Sequence, residues 1–516
     1  MNRKMLLTLA LGGLALGSTA AIALAAPGTE TGPSSSQAPY LVRTQPGIVT
    51  KSILTTGDSV GGYRMVGIPD GLGAYDNGDG TFTLLSNHEL TSGEGAVRAH
   101  GAKGAFVSRW VINESDLSVV SGRDQIQTIN VWNSGLNTWT AASGDAAPNR
   151  LNRLCSADLA AISAYYNPAT GKGYNGHIFT DGEESSGGRP FGHVVDTGQS
   201  YELTPWIGNM AFENVVANPA TGDTTTAMAL DDTSTSVGPP KVGGQVYMHV
   251  GTKTNTGNEV QRAGLANGKL YGVKVDGVPQ DEVAKNWQVG DQANFSLVDV
   301  SAHAAVAGSG PNTLEGDSQA GGVTNFQRPE DGSWDPSHPS DFYFVTTSNF
   351  GANSAGTLDG HTRLWRLHFN DPADPSQGGK LTLLVNGSVG TPDSGSGTQS
   401  AGSPGPQMLD NITVNNRGQV IMLEDVGNQS YRGGVWIYDI DGGSLTRVAI
   451  ADPDLFTPGS PGFVTKDEEA SGVIPAPFLG ADAYLLDEQV HKASSDPELV
   501  EGGQYMELHI PPGKEF

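Results

Sequence analysis

One pattern recurs along this chain and leaves few architectures open. An acidic residue is followed by a short apolar stretch, a turn, a β-rich strand, and a polar or acidic pair. Copies begin at Asp70, Asp158, Glu213, Glu330, Asp410 and Asp467. They run to Asn87-His88-Glu89, Glu183-Glu184, Asp231-Asp232, the strand at 342–346, Glu424-Asp425 and Asp487. The mean spacing of about 80 residues exceeds the ~40–50 of a propeller blade. The surplus between copies holds segments such as 245–250, 269–275, 362–369 and 435–440, whose rough apolar–polar alternation suits outer strands. Gly accounts for 71 of 516 residues, about twice the usual ~7 %, so tight turns are plentiful. The predicted fold is therefore all-β: a six-bladed β-propeller with long insertions between strands. Paired sandwiches and a β-helix are the competing all-β readings, and a β-helix would need shorter, more regular repeats.

The ends and the charge set the context. Arg3 and Lys4 precede an apolar run at 5–24, and Ala23-Leu24-Ala25 supplies a small-x-small cleavage site, predicting a signal peptide over residues 1–25. Residues 26–45 read as a flexible Gly/Ser/Pro-rich leader and 46–516 as one domain. No other segment is apolar long enough to cross a bilayer, so the expected location is secreted or periplasmic. A net charge of −26 repels nucleic acid and anionic membranes, argues against either as a partner, and supplies many ligands for hard cations. Cys155 is the only cysteine, which excludes an internal disulfide. On composition alone it reads as a small buried hydrophobe.

In a propeller the innermost strands converge on one axis. An acid at the same point of each copy would gather carboxylates there, and clustered like charges call for neutralising cations. Oxygen ligands of variable geometry favour calcium, whereas a thiolate favours a softer or redox-active metal. The Asp-rich turn at 76–80 reads as a hairpin cap, and His88 and His177 as structural histidines. Gly57-Asp58-Ser59-Val60-Gly61 spells a nucleophile elbow but opens no convincing helix, so it reads as a turn.

Several short motifs in order resemble the PhoX-like family of secreted bacterial alkaline phosphatases. They include Leu85-Ser-Asn-His-Glu89, Arg153-Leu-Cys-Ser156, Asp181-Gly-Glu-Glu184, Met210-Ala-Phe-Glu-Asn214, Arg328-Pro-Glu-Asp-Gly332, Asp410-Asn-Ile412, Leu423-Glu-Asp425 and Asp467-Glu-Glu-Ala-Ser-Gly472. The resemblance implies a six-bladed propeller around calcium and a di-iron pair, with Cys155 as an iron thiolate. Glu183 or Glu184, Glu213, Glu330, Asp410 and Glu424 would be carboxylate ligands. Arg328 would meet phosphate oxygens, assisted by Arg153 and Arg189. The implied activity is metal-dependent hydrolysis of a phosphorylated small molecule by a monomer. A non-catalytic, calcium-stabilised extracellular propeller, or another metal-dependent hydrolase such as a phosphodiesterase or lactonase, are the alternatives. The chain departs from the family at 157–177, which is longer and lacks Trp, and at Phe212, where a His is usual.

Overall fold

The computed structural model describes residues 28–233, 244–281, 287–348, 362–387, 405–428 and 432–511. The expected signal peptide, with its cleavage at Ala25, lies outside them. The described residues form a β-propeller of six blades.

Each blade is an antiparallel meander that begins at the axis and steps outward. The innermost strands are Pro69–Asp76, Leu154–Asp158, Phe212–Ala217, Pro329–Trp334, Leu409–Val414 and Glu468–Pro475, and each packs against the next around a closed ring. The strands read from the repeat become the second strands: Thr81–His88, Ile178–Glu183, Thr224–Asp231, Asp341–Thr346, Gln419–Glu424 and Ala483–Val490. The alternating segments between copies form third and fourth strands, including Val246–Thr252, Lys269–Val275, Arg363–Phe369 and Gly434–Asp439. Blades 3 and 4 are joined at their outer edges by Gln292–Asp299, which makes one nine-stranded sheet.

Both faces of every blade are covered, so the strands are apolar on both sides, and among the described residues a buried cluster fills each seam between neighbouring blades. Blades 1 and 2, for example, meet through Leu85, Val107, Leu154 and Phe179, all fully buried. Close approach of these blades depends on Gly71, where a Cβ would come within 2.3 Å of the Ala157 backbone nitrogen.

Residues 28–45, expected to be a flexible leader, are instead built into the sheets. Thr29–Thr31 pairs in parallel with Val49–Thr55, which is itself the fourth strand of blade 6. Leu41–Arg43 lies antiparallel to Leu445–Ala451 at the rim of blade 5, with Leu41 fully buried. The composition suits a tether, but a three-residue strand needs only an unpaired sheet edge to add to, and two such edges are present. The Gly57–Gly61 segment is a turn, as expected, with Ser59–Val60 paired to Tyr63–Arg64. At 76–80, Asp76 accepts the Gly78 amide and Asp79 the Thr81 amide, capping the hairpin.

Candidate metal centre in the propeller channel

The same irregularity opens five of the six innermost strands. The ladder to the second strand shifts between Pro69 and Leu72, Leu154 and Ala157, Phe212 and Val215, Pro329 and Gly332, and Leu409 and Ile412. The bulged pairs are Asp70-Gly71, Cys155-Ser156, Glu213-Asn214, Glu330-Asp331 and Asp410-Asn411. A bulge re-aims side chains that a regular pleat would turn into the blade. In four cases the residue just before the strand sits in the left-handed region: Ile68 (φ 51°), Arg153 (47°), Arg328 (55°) and Met408 (50°). Such a φ costs roughly 1–2 kcal/mol for a residue with a side chain, and its recurrence at one point of the repeat marks a geometry that the fold enforces.

The bulges deliver two compact groups to the axis. Ligand atoms of Asp70, Glu89 and Cys155 lie within 4.8 Å of one another, and so do those of Glu213, Glu330 and Asp410; all six residues are buried. The Cys155 thiol faces Asp70 Oδ2 at 3.3 Å, and the Gln489 amide donates to the same oxygen at 2.9 Å and to Glu89 at 3.2 Å. Glu330 accepts from the Thr347 hydroxyl at 2.7 Å. Glu213 Oε1 and Asp410 Oδ1 are buried with no hydrogen-bond partner.

The two groups share one field. Burial first, then repulsion by Asp410 and Glu330, raises Glu213 well above the usual carboxylate range. Asp410 is raised by burial, Glu330 and Glu469, and Asp70 by burial, Glu469 and Glu89. Burial, followed by Asp70 and Glu213, pushes the Cys155 thiol up. Buried carboxylate oxygens without donors, mutual repulsion, and one sulfur among oxygens together suit a bound cation in each group. Cys155 is thus a channel residue rather than an inert core hydrophobe.

Cross-strand register decides which acid of each closing pair reaches the channel. Pro69 pairs with His88, Leu154 with Glu183, Phe212 with Asp231, Pro329 with Thr346 and Leu409 with Glu424. The next residues, Glu89, Glu184, Asp232, Thr347 and Asp425, therefore form the inner ring. Glu183 and Glu424, both predicted ligands, stand one position short of it. Glu183 is held by Arg189 at 2.7 Å through two nitrogens and accepts the Asn152 amide. Glu424 accepts the Gln407 amide at 2.6 Å on the far side of its strand. Arg189 is likewise spent, on Glu183 and on the carbonyls of Pro148 and Arg150, and does not face the channel.

Arg153 and Arg328 do face it, from equivalent points of blades 2 and 4. Arg328 forks onto Asp232 at 2.9 and 3.0 Å and meets Glu330 at 2.8 Å. Arg153 reaches Glu89 at 2.5 Å and also pairs with Glu184. Its side chain is 44 % exposed, against 23 % for Arg328, so it is the more open of the two. It borders a 450 Å³ cavity at the channel mouth, together with Glu89, Asp425, Glu469 and His491. His491 is anchored by Glu501 at 2.7 Å; burial opposes its charge, but Glu469 and Glu501 push its pKa up to about 11. Asp70, Glu89, Asp232, Asp425, Glu469 and His491 were not predicted as site residues. Asp70, Glu89, Asp232 and Asp425 stand at the repeat boundaries and Glu469 two residues past one, and the ladder register decides which of the closing acids turn inward.

Among the described residues no helix is long and apolar enough to cross a membrane. A family model described as alkaline phosphatase PhoX matches residues 189–454, just over half of the chain. No curated protein matches. Among solved structures, the chain is similar to Pseudomonas fluorescens PhoX in complex with vanadate, a transition state analogue, at 11 % identity and a TM-score of 0.61, over 93 % of this chain and 97 % of that one. It is also similar to an α-L-arabinofuranosidase from Fusarium graminearum, at 9 % identity and a TM-score of 0.37, over 86 % and 97 % of the two chains. The first likeness establishes a shared propeller architecture.

Proposed function

The chain belongs to the alkaline phosphatase PhoX family, and from that premise we propose that it hydrolyses phosphomonoesters at the mouth of its channel. The observation that carries this reading is the pair of buried groups, Asp70/Glu89/Cys155 and Glu213/Glu330/Asp410, lying beneath two arginines. Calcium is the natural occupant of the all-carboxylate group, and a softer ion such as iron of the group with the thiolate. Bound there, the cations supply Lewis acidity toward phosphoryl oxygens.

The residues themselves do three things. The planar forks of Arg153 and Arg328 match phosphate oxygens and offer donors to charge that develops during transfer. Glu184 and Asp232 hold those forks in place before substrate arrives, so little reorganisation remains for the reactive step. The dense apolar packing between blades fixes the bulges, and through them the spacing of the acids. We further infer export behind the segment 1–25, where a chain this acidic meets abundant calcium.

Turnover of p-nitrophenyl phosphate by the full mature chain, produced with calcium and iron supplied, tests the proposal. The expected result is activity that chelation abolishes and calcium restores, with Cys155→Ser lowering bound iron in metal analysis. Absence of turnover with both metals supplied would overturn it and leave a metal-braced binding propeller.

A further inference from the structure

A second cavity, of 510 Å³, opens beside the channel between blades 2 and 3. Its inner wall is Glu184 and Asp232, the residues that hold the two channel arginines, so it adjoins the site where phosphate would sit. Its outer wall comes from the insertion between blades 3 and 4, with Ser309 and Glu315, the latter half-buried in the first turn of helix Leu314–Gly321. Met210, Leu314 and Tyr247 add apolar surface. Four carboxylates line the cavity, and the described lining includes no lysine, arginine or histidine. Glu184 and Asp232 on the inner wall are paired with Arg153 and Arg328 behind it. Asp231 and Glu315, the latter accepting the Gln319 amide at 2.7 Å, are the two that those arginines do not engage.

A phosphomonoester has two ends with opposite needs. The phosphoryl group is anionic and belongs with the arginines and cations of the channel. The leaving group must occupy neighbouring space, and here that space is acidic and partly greasy. An anionic leaving group would be repelled, whereas a short alkylammonium would meet carboxylates at its charge and Met210 and Leu314 along its carbons.

Building on the phosphatase reading, we propose that this cavity is the leaving-group pocket and that it selects phosphate esters of amino alcohols. Water adds to phosphorus, the ester P–O bond breaks, and the amino alcohol departs with its oxygen and a proton drawn from that water.

The test compares kcat/KM for phosphocholine and phosphoethanolamine with that for glycerol 1-phosphate, whose leaving group is uncharged, in the metal-loaded full chain. One partly exposed charge contact supports a preference of about two- to fivefold. In Glu315→Gln the ratio should fall toward one, and in Glu315→Lys it should invert. A wild-type ratio at or below one, or a ratio that Glu315→Gln leaves unchanged, overturns the pocket assignment while continued p-nitrophenyl phosphate turnover leaves the phosphatase reading standing. Failure to hydrolyse any phosphomonoester overturns both.

Discussion

Glu183 and Glu184 are one peptide bond apart and face opposite surroundings, because successive side chains of a strand point to opposite faces. Glu183 completes a buried pair with Arg189, and Glu184 meets Arg153 at the channel. Their substitutions should separate accordingly. Glu184→Gln and Glu213→Gln should lower kcat by about 10²-fold or more with folding intact, by analogy with loss of one transition-state contact. Glu183→Gln should instead cost about 3–5 kcal/mol of stability by leaving Arg189 uncompensated, with the folded fraction still active. Initial rates alongside thermal melts distinguish the two. The raised acids also set a pH dependence. Without metal, folded Asp70, Glu213 and Asp410 retain protons that the unfolded chain releases near pH ~4. That contribution to stability is present below this range and is lost as pH climbs through the raised values. Asp425, pushed up to about 7 by burial and then Glu469, marks the upper part of the window. The Tm of chelated protein should therefore fall between pH 5 and pH 8, and calcium should raise Tm more at pH 8. An equal calcium shift at both pH values would count against cations sitting among these acids.

At the scale of the element, the strand bulge governs the site. It explains why the blades were legible in the sequence while the ligand positions were only partly so. Turn–strand alternation around 76–88 or 415–424 is local and survives translation into strands. Which residue of Glu424-Asp425 points inward depends on pairing with Leu409, and a one-residue change of register exchanges the faces. The bulge itself leaves little compositional trace: three of its five pairs are acid-Gly or acid-Asn, and the others are Cys155-Ser156 and Glu330-Asp331. Glu213 and Asp410 stand at repeat starts within the motifs that carry the family resemblance, whereas Asp70, bulged in the same way, opens a repeat but lies outside the expected set; Glu89 and Asp232 need the ladder. Gly71 tests the role of the bulge. Gly71→Ala would drive a Cβ into the Ala157 backbone, and since backbone cannot swing aside as a side chain can, a loss of about 1–3 kcal/mol or more is expected. Because the displaced strands carry Asp70 and Cys155, retention of the softer ion should fall with it, measurable as iron content of the purified variant by metal analysis.

At the scale of the whole molecule, closure comes from the N-terminal strands. Leu41–Arg43 finishes blade 5, and Val49–Thr55 finishes blade 6 next to Gly502–His509. Short strands in a Gly- and Pro-rich stretch gave no local sign of this, since their partners lie some four hundred residues away. Removing residues 28–45 should cost at least about 2 kcal/mol, the burial of Leu41 alone, read as a lower midpoint in denaturant. An unchanged midpoint would show that blade 5 closes without its fifth strand. The clasp also bears on chemistry. Gln489, on the second strand of blade 6, donates to Asp70 and Glu89 of blade 1, so this support for the acids beside Cys155 crosses the seam between the last blade and the first. Opening that seam should therefore loosen the acids as well as the sheet, so a weakened clasp is expected to cost metal retention together with stability.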